Sequence, residues 1–244
     1  MTLIGEYQEN VKETVNNAPE SDKDTKTATK NINATEASKG RNNSEKVKCE
    51  RAVYRCWKES PLVKLMIGAM KSAGCSLDIR RHISCEVCAP QVSGGFDPIL
   101  NQVVICQNNA VDAGMVQGIL THEMIHMFDY CKNNLDFKNI DHLACTEIRA
   151  ANLAHCSFLS AWLNGDTSFF DFKNTHQNCV KSKALSSILA ARNISKLDAI
   201  DAIERVFDRC YNDLEPIGRR IRRNSLDMHR AFDEGYYYGY DDTS

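Results

Sequence analysis

Between residues 22 and 46 the only large apolar side chain is Ile32, and no Cys, Phe or Trp occurs before Cys49. So polar a stretch cannot offset the entropy of ordering its backbone, and residues 1–46 are predicted to form a disordered tail. From Val47 the pattern changes. Val53, Trp57, Leu62, Leu65, Met66 and Ala69 recur at helical spacing, interrupted by Pro61, which suits the first turn of a new helix. Residues 85–98 are turn-rich, with Gly94, Gly95 and Pro98. Val103 to Cys106, within 101–107, carries a strand signal. Residues 111–132 read as one helix with Val116, Leu120, Met124, Met127 and Phe128 on its inner side. Further helices are predicted over 141–163, 175–191 and 196–211. The expectation is an α+β domain over 47–223, mostly helical with a small sheet, followed by a C-terminal tail over 224–244.

Composition adds exclusions. The 244 residues are 43% apolar and 25% charged, which is ordinary globular usage. Thirty basic against thirty-two acidic side chains give a net charge of −2, which removes any bulk electrostatic case for binding nucleic acid directly. The best apolar run, Leu62 to Met70, contains Lys64 and falls short of the ~20 residues that a spanning helix needs.

Eleven cysteines are dispersed along the chain. Cys85-x-x-Cys88 has no second pair at zinc-ribbon spacing, so disulfides through a folded domain are expected over free thiols or a structural metal. An odd count leaves at least one thiol unpaired. Met1 to Ile4 is too short for the apolar core of a secretory signal, and Glu6, Glu9, Glu13, Glu20, Asp22 and Asp24 all precede the first arginine, Arg41, unlike a matrix presequence. The sequons at Asn33, Asn42 and Asn193 therefore carry little weight.

Residues 122–126 read His-Glu-Met-Ile-His. Histidines at i and i+4 of a helix share a face, so His122 and His126 can reach one Zn²⁺. Glu123 between them is placed to take a proton from a water acidified by that zinc. A third protein ligand must come from elsewhere. Glu147, 21 residues beyond His126 on the following helix, is the preferred candidate, because a buried Glu on a small, apolar face needs a partner. Its alternative is an ion pair with Arg149. Asp129, one turn beyond His126, is a second candidate ligand or an orienting group for an imidazole. Asp141 and His142 are weaker candidates.

Gly94 to Gln107 offers an edge strand for an extended peptide, with an ordinary sheet edge as the alternative. Arg219 to Arg223 holds four arginines, suited to anionic headgroups, a nuclear signal or a solvated face. Cys85 and Cys88 are either redox-active or, preferably, ends of structural disulfides.

Thr121-His-Glu-Met-Ile-His-Met-Phe-Asp129 followed by His142-Leu-Ala-Cys-Thr-Glu-Ile-Arg-Ala-Ala-Asn-Leu153 closely resembles the mitochondrial inner membrane metalloprotease family that matures a subunit of ATP synthase. The likeness takes in Cys85-Glu-Val-Cys88, Ser93-Gly-Gly-Phe96, Val104-Ile-Cys-Gln-Asn108, His176-Gln-Asn-Cys-Val180 and Ser187 to Ser195, and it spans roughly residues 47–238. The resemblance implies a disulfide-stapled, zincin-like zinc endopeptidase of the intermembrane space. It would lie peripherally on the inner membrane and enter by oxidation of its cysteines. The implied partner is the ATP synthase proton-channel subunit or its precursor, and the implied cofactor one catalytic Zn²⁺. His122 and His126 match the family's metal ligands and Glu123 its catalytic glutamate, whereas Glu147 stays a physical inference. Cys56 departs from the family pattern.

The resemblance also implies two alternatives: a protease-independent assembly factor for the ATP synthase membrane sector, and a nuclear partner of Ku-type DNA-repair proteins. Glu123→Gln separates the first, since an assembly factor keeps its function without cleavage. Nuclear fractionation and reduced thiols would mark the second.

Overall fold

The computed structural model describes the backbone of residues 28–110, 112–156, 172–222 and 225–240. Helix α1 (Ala28–Glu59) runs into Ser60, whose hydroxyl caps α2 (Pro61–Ser72) by accepting from the Val63 N–H. Proline at the first helical position costs no hydrogen bond there. Helix α1 begins well before Val47, so the predicted tail is helical from Ala28 onward. Propagation adds one bond per residue to a helix already anchored at its far end by the buried Cys49, Val53 and Cys56. Residues 1–27 of that tail lie outside the described residues.

A one-turn helix α3 (Ile79–His82) leads into strand β1 (Ile83–Glu86), and β2 (Gly94–Asp97) and β3 (Gln102–Cys106) complete the sheet. The strand order is β1-β3-β2, with β1 parallel and β2 antiparallel to β3. The expected strand is therefore the central one. Gly94–Asp97 is an edge strand, and its four residues are buried.

Helix α4 (Ala113–Lys132), capped by Asp112, is followed by α5 (Ile140–Ala150), capped by Asn139. A π-turn (Ala151–His155) continues α5. The remaining residues of the helix expected over 141–163 lie outside the described ones. Helices α6 (Phe172–Ala191) and α7 (Lys196–Asn212) pack with α5 and the π-turn. Among the described residues 225–240, helix α8 (Asp227–Gly235) docks on α2, with Ala231 buried and Leu65 pressed against Gly235. That stretch, expected to be tail, is part of the packed domain because one face of α8 is apolar.

Five disulfides staple the molecule: Cys49–Cys85, Cys75–Cys131, Cys88–Cys106, Cys145–Cys210 and Cys156–Cys179. Cys85 and Cys88 end different bridges and are structural. The unpaired thiol is the buried Cys56. Among the described residues no helix is long and apolar enough to cross a membrane. The basic cluster is largely spent internally. Arg219 pairs with Glu234 and Asp227, Arg222 pairs with Asp227, and Arg220 bonds Asn152 and covers the Tyr211 ring. Arg223 lies outside the described residues.

Candidate metal centre

Helix α4 crosses beneath the sheet, and its second half is buried on every side, from Ile119 to Asp129. Such complete burial forces the polar side chains within it to find partners. His122 and His126 are 1% and 4% exposed, and their Nε2 atoms lie 3.0 Å apart. At that spacing one ring must donate to the other, or both must face a cation.

The partners of the rings decide which nitrogen is free. Thr146 Oγ1 donates to Asp129 Oδ2 at 2.7 Å, so it accepts from His126 Nδ1 at 2.9 Å. The proton of His126 therefore sits on Nδ1, leaving the Nε2 lone pair directed into the centre. Burial holds both imidazoles far below their ordinary range, to about 3, so they are neutral at physiological pH, the form that binds metals.

Two carboxylates join them. Glu147, brought over from α5, places one oxygen 3.6 Å from each Nε2. One potential ligand atom each from His122, Glu123 and His126 lies within 4.8 Å of the others. Burial, and then the neighbouring Glu147, raises the Glu123 carboxyl well above the usual carboxylate range. Gly94 of β2 passes beside it. A Cβ there would come within 2.4 Å of Ile119 Cγ2, 2.9 Å of the Val104 carbonyl and 3.7 Å of Glu123 Oε1.

His122 Nδ1, Glu123 Oε1 and Glu147 Oε2 are buried without hydrogen-bond partners. Unmade bonds of this kind cost about 1–3 kcal/mol each, and of these atoms Glu147 Oε2 stands 3.6 Å from His122 Nε2. Two imidazoles and a carboxylate are the donor set of a catalytic zinc site, so the residues present fit that ion.

The other candidate ligands are engaged elsewhere. Asp129 forms a bidentate pair with Arg149 and accepts from Thr146; its role is to orient His126 through that threonine. Asp141 pairs with Arg205 at 2.6 Å, and His142 Nδ1 accepts from the Asp136 N–H. Arg149, the expected alternative partner of Glu147, instead binds Asp129, Asp213 and the Glu215 carbonyl. Sequence reasoning missed Thr146 and His155, whose ring lies 4.6 Å from that of His122. Thr146 neighbours Glu147 and repeats, on α5, the inward face that placed the Glu. His155 carries no periodic signal.

The model of the Peptidase M76 family matches residues 47–218. The chain is 43% identical over 198 residues to the mitochondrial inner membrane protease ATP23 homolog of Danio rerio, covering 79% of this chain and 77% of that one. It is 46% identical over 174 residues to that of Homo sapiens, covering 70% of each. The mitochondrial inner membrane protease atp23 of Schizosaccharomyces pombe is 33% identical over 174 residues, covering 70% of this chain and 92% of that one. No solved structure matches the chain.

Proposed function

This chain belongs to the Peptidase M76 family and is a metallopeptidase, and from that premise we propose that it is a zinc-dependent endopeptidase of the mitochondrial intermembrane space. The observation that carries the reading is the convergence of His122, His126, Glu147 and Glu123, with buried atoms left unpaired among them. In this proposal His122, His126 and Glu147 hold the metal. A zinc ion bound there would polarise the scissile carbonyl and acidify a water.

The remaining work falls to the protein's own groups. Glu123 takes the proton of the attacking water and passes it to the leaving amine. Thr146 and Asp129 fix the His126 ring through its Nδ1–H. Burial of all four side chains keeps bulk water from the reaction.

Five disulfides support an oxidising compartment and argue against a reduced nuclear protein. The names of the relatives support work at the mitochondrial inner membrane, which we propose is contacted peripherally. The proposed substrate is the precursor of the ATP synthase proton-channel subunit, as the family resemblance implies.

The test is purified full chain against that precursor. Wild type carries one zinc and produces the mature form. Glu123→Gln keeps the zinc and loses cleavage by about a hundredfold or more, and Glu147→Ala loses the zinc. Cleavage that survives in Glu123→Gln overturns the assignment, and wild type without zinc overturns the mechanism.

A further inference from the structure

We propose that a cleft beside the metal centre receives the substrate, and that it selects polypeptide segments with an apolar side chain next to the bond to be cut. The proposal rests on the peptidase reading above. The cleft, about 560 Å³, follows the N-terminal half of α4 and ends at Thr121, the residue before His122. Leu62, Met115, Leu153, Ile221 and Met228 supply apolar wall. Gly118 leaves the space open, since a Cβ there would meet nothing within 4 Å.

The inner end has a different character. Thr121 is 1% exposed, yet its Oγ1 has no hydrogen-bond partner, and neither has the buried Nε2 of His155. Both residues line the cleft, and the His155 ring stands against that of His122. Polar atoms buried and unpaired beside a reaction centre are satisfied when a ligand brings complementary groups. A peptide backbone brings an N–H and a C=O at each residue, and its side chain would then extend into the apolar part. An acyl chain would fill the walls but leave Thr121 and His155 unpaired, so a polypeptide is the occupant that answers both ends.

The wall also sets selectivity. Thioethers at Met115 and Met228 adapt to several apolar shapes, so Leu, Ile, Met and Phe are expected to be accepted alike. The one cation lining the cleft among the described residues, Arg222, is bound to Asp227. Acidic side chains therefore find no free counter-charge there.

The experiment uses a tryptic digest of a whole proteome as the probe, with His- and Cys-containing peptides left out of the count. Wild type and Glu123→Gln are compared for cutting. The digest is also passed over immobilised Glu123→Gln and over Glu123→Gln combined with Gly118→Leu. Leucine favours helix more than glycine and projects into the cleft. The expected result is about tenfold enrichment of apolar peptides on the first column, lost on the second and weakened by Thr121→Val. Absence of apolar enrichment, or enrichment untouched by Gly118→Leu, overturns the cleft. If Gly118→Leu loses helix or zinc, Met115→Asp at its partly exposed position makes the same comparison. Failure of wild type to cut any peptide defeats the peptidase reading alone, because retention on the columns still decides the cleft.

Discussion

Thr146 holds His126 by its Nδ1–H, at 2.9 Å, while its own hydroxyl hydrogen goes to Asp129 at 2.7 Å. The hydroxyl thus passes the orienting effect of a carboxylate to an imidazole that the carboxylate does not touch. Thr146→Val removes that bond at nearly constant volume and is expected to weaken zinc binding by about 10- to 100-fold, with Thr146→Ser restoring it. Competition with a chromogenic chelator measures this without recourse to activity. Equal affinity in the Val variant would defeat the assignment.

Arg149 neutralises Asp129 inside the protein, with both side chains about 95% buried, and it also reaches Asp213 and the Glu215 carbonyl. Arg149→Met leaves the Asp129 charge uncompensated and is expected to cost about 3–5 kcal/mol. Adding Asp129→Asn recovers part of that loss. Urea midpoints of the single and double variants check both statements.

Gly94→Ala forces a Cβ against Ile119 and against the Val104 carbonyl, a backbone atom that cannot rotate away. Overpacking of this kind costs about 1–3 kcal/mol. Because β2 then shifts beside Glu123, proteolytic activity should fall further than the urea midpoint alone predicts. Activity that tracks stability would show that the strand does not set the Glu123 environment.

Cys145–Cys210 closes the largest loop of the five bridges, with a sequence separation of 65, and ties α5, which carries Glu147, to α7. Chain entropy gives it about 4 kcal/mol. Replacing both cysteines by Ala should lower stability by about that amount and release zinc at denaturant concentrations that leave wild type loaded. Loss of stability no greater than for Cys88–Cys106, with a separation of 18, would contradict the loop argument.

Asp227, at the start of α8, is held below the usual carboxylate range, chiefly by the Arg222 side chain. Its folded pKa is depressed, so its contribution is full above the ordinary value of about 3.9 and is lost as pH falls through and below that value. Asp227→Asn should destabilise the protein near neutrality, and the difference from wild type should shrink on acidification to about pH 3. A difference independent of pH would rule the ion pair out.

Periodicity alone located most helices. Pro61 marked a helix start, and the apolar spacing from Val116 to Phe128 defined α4 almost to its ends. What periodicity missed were features set by neighbours. Strands β1 and β2 have four residues each, too few to show alternation, and α8 was hidden because its apolar face has meaning only against α2. The extension of α1 before Val47 escaped for the converse reason: its sequence is polar and carries no apolar periodicity.

The sequence by itself determined that His122, Glu123 and His126 share one neighbourhood, since i and i+4 on a helix are neighbours by geometry. It also determined that the cysteines are dispersed from Cys49 onward, as disulfides through a folded domain require. Only the tertiary structure decided that Glu147, rather than Asp129, Asp141 or His142, stands against both imidazoles, and that Thr146 fixes one of them. Those relations join α4 to α5 across a loop, where side-chain direction follows from packing and the Cys145–Cys210 bridge rather than from any local spacing. The pairing of the cysteines and the isolation of Cys56 were decided the same way, because a disulfide needs two backbones brought within a few ångströms.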